Sequence, residues 1–254
     1  MNIIKNGPGA SIELPSGTRL PIRQILGIGR NYAAHAAERG ADVPDRPMVF
    51  AKSPASVCLH GDDIIIPPCC TDPETGGGGE GRAEGQVDFE AELAVVLGET
   101  IKDVSQAEAG GCILGYCCAN DVSARWWQKH GSGGQFNRGK GFDTFCPLGP
   151  TLVPAKDIAD PSALGIRCWV NGELMQDGST SDMVFSVSTL IAELSRGTTL
   201  PAGTVILTGT PSGVGAGRTP PIFLQPGDSV EVEIDGLGIL CNGVKAAAAN
   251  AALS

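Results

Sequence analysis

The chain has 254 residues, 42% apolar and 18% charged, with mean hydropathy near zero and a net charge of −10, which excludes a disordered composition and gives room for one large core. No apolar run approaches the ~20 residues of a membrane-crossing helix, and 18 scattered Lys and Arg against 28 Asp and Glu fit neither nucleic acid nor a membrane surface, so a small molecule is the expected partner. Nine cysteines, an odd number with adjacent pairs at Cys69–Cys70 and Cys117–Cys118 and no C-x-x-C, suit a reducing compartment.

In chain order, residues 1–20 read as an N-terminal extension, 21–245 as the catalytic domain and 246–254 as an Ala-rich tail that could form a frayed helix. The N-terminus has neither the apolar core of a secretory signal nor an Arg-rich transit pattern, so the cytoplasm is expected, or the mitochondrion if a presequence has been removed. Gly and Pro punctuate many short apolar runs, which predicts a strand-rich fold with few helices. Strands are predicted over residues 22–28 and 87–97. The polar, Gly-rich stretch 71–86 reads as a mobile loop. Ser105 and Glu108 form a capping box, and Asp121 is placed to cap a helix over 122–130. Asn171-Gly172 predicts a type I′ hairpin. Ser188 is expected to cap a helix that stops at Gly197. Val230, Val232 and Ile234 alternate with acidic residues, as in a half-exposed antiparallel strand ending at Gly236.

Five constellations can carry chemistry. Glu90 and Glu92, two apart at the mouth of an apolar strand, put both carboxylates on one face; they serve either as a solvated sheet face or as ligands of a hard divalent cation. Asp121, at a strand end, is either an ordinary N-cap or a metal ligand, with Arg125 and Gln128 on its helix face to grip an acid. His35 and Glu38 lie one helical turn apart, either as a solvated pair or as a general base with its orienting carboxylate. Lys140 sits between glycines, so it is either a surface lysine or one that approaches a ligand closely. The run 205–215 delivers Thr210 into a Gly-rich turn, a plain tight turn or a set of amides aimed at an anion. Nucleotide-binding, nucleophile-elbow and H-E-x-x-H patterns are absent from the sequence.

The wording GRNYAAHAAE, VDFEAELAVVLG, NDVSAR, KGFDTFCPLGP, VNGELMQ, LTGTPSGVG and PGDSVEVEIDGLG, spread over residues 25–244, resembles the fumarylacetoacetate hydrolase family. The resemblance implies an α+β, strand-rich fold with a mixed β-sandwich or β-roll, and a homodimer. It implies Mg²⁺, Mn²⁺ or Ca²⁺ on Glu90, Glu92 and Asp121, substrate binding by Arg30, Arg125, Gln128 and Thr210, and catalysis by His35, Glu38 and Lys140. Two features depart from the family's pattern: Trp126 where an Asp is usual, and the length of the 71–86 stretch.

The implied activity is a metal-dependent hydrolase that cleaves a C–C bond in a β-diketo or acylpyruvate-type 2-oxo acid by way of a stabilised enolate. His35 would activate water and Lys140 would stabilise the oxyanion. The wording near GGQFNRGKGFDTFCPLGP and GVGAGRTPPIFL is closest to domain-containing-2-type members, which the family associates with oxaloacetate tautomerisation. The alternatives on one scaffold are therefore an oxaloacetate tautomerase or decarboxylase and a 2-hydroxy-diene-dioate isomerase. A non-catalytic protein that binds metal and 2-oxo acids is the remaining alternative, and it would leave His35, Glu38 and Lys140 without a purpose.

Overall fold

A computed structural model describes residues 1–70 and 86–248. Its centre is Ala91–Leu97, a strand buried along its whole length. Alternate residues serve two cores. Leu93, Val95 and Leu97 pack with Tyr116, Ile166, Cys168, Val230 and Val232, while Ala94 and Val96 pack with Ile12, Ile25, Cys117, Ala119 and Leu148. A strand apolar on both faces has to be covered on both sides, and that requirement layers the molecule.

Ala91–Leu97 lies in a seven-stranded mixed sheet ordered Met48–Lys52, Gln24–Gly29, Thr204–Leu207, Ala91–Leu97, Ile113–Asn120, Cys146–Pro154 and Val57–Leu59. A five-stranded sheet, Glu173–Ser179, Gly165–Val170, Ser229–Ile234, Gly238–Ala246 and Asp63–Ile66, covers one face. On the other face lies a three-stranded antiparallel sheet from the N-terminus, Asn2–Asn6, Gly9–Glu13 and Arg19–Pro21, which buries Ala10 and Ile12 in the second core. The fold is the expected strand-rich α+β arrangement with a few short helices.

Local expectations meet the structure unevenly. Asn171 and Gly172 take φ of 53° and 79°, the positive values that a type I′ hairpin needs. The capping box at Ser105 forms, and Gly197 closes the later helix with φ 67°. That helix is Val187–Ser195, and its cap is Ser186 rather than Ser188: the Ser186 Oγ accepts the Thr189 N–H at 3.2 Å, while Ser188 already lies within the first turn. The helix expected from Asp121 is also displaced. Ser123–Ala124 remain extended and pair with Val87–Asp88, and a π-helical turn follows at Trp127–Gly131. The predicted strand 87–97 is interrupted at Phe89-Glu90. In place of the expected helix from residue 246, Ala246 ends a strand and the Ala247 N–H donates to Ile66; residues 249–254 lie outside the described residues, as does the predicted loop apart from Gln86.

Ile12 is fully buried, so the N-terminal sheet is joined to the core by packing as well as by chain connectivity. Ile12→Ala is expected to lower the unfolding free energy by about 2–4 kcal/mol, as core truncations do, measured by urea denaturation. A change under about 0.5 kcal/mol, the range of surface substitutions, would mean that the sheet is only loosely docked.

Candidate active site

The break at Phe89-Glu90 exists because side chains replace the missing ladder. The Glu90 N–H donates to Asn120 Oδ1 and the Ala91 N–H to Gln176 Oε1, each at 2.9 Å, while the Asp121 N–H donates to the Glu90 carbonyl at 2.8 Å. Freed from the pleat, Glu90 turns toward Glu92 and Asp121. Carboxylate oxygens of the three lie within 4.8 Å of one another, closer than the roughly 7 Å spacing of alternate residues on a straight strand. All three residues are buried.

Three buried cations face this cluster. Lys140 Nζ donates to Glu90 Oε2 at 2.7 Å, Asp121 Oδ2 at 2.6 Å and Ser123 Oγ at 2.7 Å. Lys52 Nζ holds the other Asp121 oxygen at 2.6 Å. Arg125 pairs with Glu90 through Nη1 at 2.7 Å and with Asp88 through Nε at 2.8 Å and Nη2 at 2.7 Å. Burial opposes ionisation of Glu90, but Lys140 and Arg125 more than offset it and hold the carboxyl well below its usual range. Glu92 is pushed the other way, first by burial and then by Asp121 and Glu90. It has no ion-pair partner among the described residues, and its one hydrogen bond is from the Gly209 N–H at 2.7 Å.

Counting Asp88, four buried carboxylates meet three buried cations, so the cluster is one positive charge short of neutrality. Its exposed-to-each-other donors are all carboxylate oxygens, without thiolate or imidazole. That donor set fits a hard divalent ion, and the uncompensated Glu92 is the group such an ion would satisfy.

The Gly-rich turn lies directly against the carboxylates, with Thr210 lining the cleft. Its amides do bind anions, and those anions are the protein's own: Gly209 holds Glu92, Gly213 holds Glu38 at 2.8 Å, and Gly215 holds Asp88 at 2.8 Å. Gly209 takes φ 96°, and any Cβ on Gly215 would come within 1.7 Å of the Ile222 carbonyl oxygen, so glycine is required at both. Thr210 Oγ1 accepts from Gln176 Nε2 at 2.7 Å, which leaves its own proton to donate. His35 Nδ1 lies 2.7 Å from Glu38 Oε1.

These residues enclose a cleft of about 150 Å³. His35, Arg30, Glu90, Glu92, Arg125, Gln128, Lys140 and Thr210 line it, so the sequence-nominated residues converge. Glu38 stands behind His35, and Asp121 behind Lys140. Sequence reasoning missed Asp88, Lys52, Gln176 and Arg39. Asp88 was hidden as the polar start of a strand and Lys52 as the end of another; both act through partners far along the chain. Nine free cysteines complete the inventory, and burial raises the thiols of Cys58, Cys118 and Cys146 to about 12, which leaves them poor nucleophiles.

Residues 24–245 match the model of the fumarylacetoacetate (FAA) hydrolase C-terminal family. Oxaloacetate tautomerase YisK of Bacillus subtilis is 44% identical over 237 residues, 92% of this chain and 74% of its own. The mitochondrial oxaloacetate tautomerase fahd2 of Xenopus laevis is 46% identical over 87% of this chain, which spans 65% of that protein's length. The structure of fumarylpyruvate hydrolase from Pseudomonas aeruginosa in complex with Mn²⁺ and pyruvate matches with a TM-score of 0.78 at 28% identity, covering 96% of this chain and 99% of that one.

Asp88 accepts from Phe89, Gly215 and Ala216 N–H groups as well as from Arg125. Asp88→Ala removes one of the two carboxylates paired with the buried Arg125 and strands three amides, and is expected to lower stability by about 3–5 kcal/mol, with a smaller loss for Asp88→Asn. Thermal and urea unfolding of the two variants check this; equal, small losses would contradict it.

Proposed function

The chain belongs to the fumarylacetoacetate hydrolase family, and from that premise we propose that it is a divalent-metal-dependent enzyme interconverting the keto and enol forms of oxaloacetate or a closely related 2-oxo acid. The observation that carries this reading is the juxtaposition, in one small cleft, of a charge-deficient carboxylate triad with a carboxylate-oriented imidazole. The names of relatives at 44% and 46% identity supply the substrate.

Glu90, Glu92 and Asp121 would hold Mg²⁺ or Mn²⁺, with Ca²⁺ also suited to such ligands. When bound, the ion supplies Lewis-acid polarisation of the 2-oxo group and its neighbouring carboxylate. The side chains do the rest. Glu38, fixed by the Gly213 amide, would accept a hydrogen bond from His35 Nδ1–H and so leave Nε2 as the basic nitrogen. In enolisation Nε2 takes a proton from C3 while the 2-oxo oxygen gains one from solvent; ketonisation reverses both transfers. The Thr210 hydroxyl and the Gln128 amide line the cleft where they can orient the acid.

Lys140 and Arg125 play a supporting part in this reading. All three N–H donors of Lys140 are engaged, and Arg125 is engaged with Asp88, Glu90 and Gln128. They fix the ligand carboxylates and contribute positive charge; the Lys140 donors are all taken, while Arg125 Nη2, ion-paired with Asp88, makes no hydrogen bond.

A second reading, hydrolysis of an acylpyruvate, is favoured by the same His35–Glu38 pair, which could activate water, and by the likeness to fumarylpyruvate hydrolase over nearly that protein's whole length. Enol absorbance separates the two. With Mg²⁺, oxaloacetate keto–enol exchange should accelerate, stop on chelation, and fall by roughly 10²–10⁴ in His35→Ala. Glu92→Ala should abolish divalent-ion binding by calorimetry while the protein stays folded. Exchange no faster than in buffer, with acylpyruvates cleaved to pyruvate, would transfer the assignment to the hydrolase.

A further inference from the structure

The cations best placed to bind a substrate carboxylate are not the ones buried beneath it. Five cationic side chains line the cleft: Arg30, Arg39, Arg125, Lys129 and Lys140. Arg125 and Lys140 are engaged with Asp88, Glu90 and Asp121. Arg30, Arg39 and Lys129 form no ion pair with a carboxylate among the described residues, in a chain whose net charge is −10. Three unpaired cations around one small opening repel each other and invite an anion.

Arg39 is the most constrained of them. It follows directly after Glu38, is half-buried, and donates through Nη1 to the Ala216 carbonyl. The Ala216 N–H in turn donates to Asp88, the partner of Arg125. One turn therefore fixes two guanidinium groups, Arg125 ion-paired with two carboxylates and Arg39 with none. Burial and the neighbouring Arg125 both disfavour the charged form of Arg39; Lys129 is disfavoured first by burial and then by Arg39 and Arg125. A bound anion would relieve that repulsion.

We infer that Arg39, with Lys129 and Arg30 at the exposed edge, forms a subsite for the second, distal carboxylate of the substrate and so makes the enzyme selective for dicarboxylic over monocarboxylic 2-oxo acids. The inference rests on the proposed assignment of the cleft to a 2-oxo acid. The triad side takes the 2-oxo acid end, and the cationic rim takes the far end. A substrate with an uncharged tail forgoes that contact.

The test compares oxaloacetate with its 4-methyl ester, which differ in the charge of the distal group. In wild-type protein with Mg²⁺, kcat/KM for keto–enol exchange should favour the diacid. Arg39→Gln and Lys129→Gln should each reduce that preference by about tenfold, the scale of one charge-assisted hydrogen bond. The change should appear mainly in KM for the diacid, and Arg39→Lys should recover part of it. Parallel losses on both substrates, or a wild-type enzyme indifferent to the ester, overturn the subsite. If the wild type exchanges neither compound, the tautomerase assignment fails separately. The same pair is then titrated by calorimetry into the Mg²⁺-loaded protein, where a diacid preference that falls in the variants supports the subsite and its absence overturns it.

Discussion

Four carboxylates, Asp88, Glu90, Glu92 and Asp121, are buried around one cleft, and nearly every unusual feature nearby compensates their desolvation. An unpaired buried charge is costly. Lys52, Arg125 and Lys140 are accordingly buried with them, although lysine and arginine are among the residues least often found inside. The arrangement also divides the acids by role. Glu90, between Lys140 and Arg125, is held charged, while Glu92, with a single amide donor, is left short of positive charge. A uniformly paired cluster would be a structural salt bridge; the deficit at Glu92 is what supports the proposed cation site here.

Register carries this chemistry into the fold. Glu92 pairs with Ala119 and Ala91 with Asn120, so the strand Ile113–Asn120 ends where Asp121 can turn its carboxylate toward Glu92. A slip of one residue would turn Glu92 into the core that Leu93 and Val95 now fill, against residues such as Cys168 and Val232, and would turn those two apolar side chains toward the site. Both faces of that strand are close-packed, so such a slip is opposed twice. The site inherits its precision from the packing of two apolar cores.

That dependence explains what was legible in the sequence. Local signals could be read: alternation at Val230–Ile234, the Asn171-Gly172 turn, the Ser105 capping box and the E-x-E pair all depend on near neighbours. Asp121 was ambiguous because its partners are distant. A cap is worth about 1 kcal/mol, whereas leaving Lys52 and Lys140 buried without it costs several times more; the charge pairing prevails, and the helix starts later. Lys52 lies 69 residues from Asp121 and Asp88 lies 37 from Arg125, separations over which no spacing rule operates. Convergence of the nominated residues on one cleft was available only through the family resemblance.

The Gly-rich turn shows how a correct local reading can still misplace its object. Its amides were legible as an anion site, and the structure supplies the anions from within the chain: Glu92, Glu38 and Asp88 are held by Gly209, Gly213 and Gly215 in succession. Each acid belongs to a different part of the site, one to the carboxylate triad, one to the imidazole and one to Arg125. Three glycines of a single loop thus set the separation between the His35–Glu38 pair and the carboxylate triad, and a side chain at Gly215 would displace the Ile222 carbonyl against which the loop is packed. The turn works as a template that holds these acids in place, so its three engaged amides are not themselves an anion pocket, and only Thr210 of the turn faces the cleft.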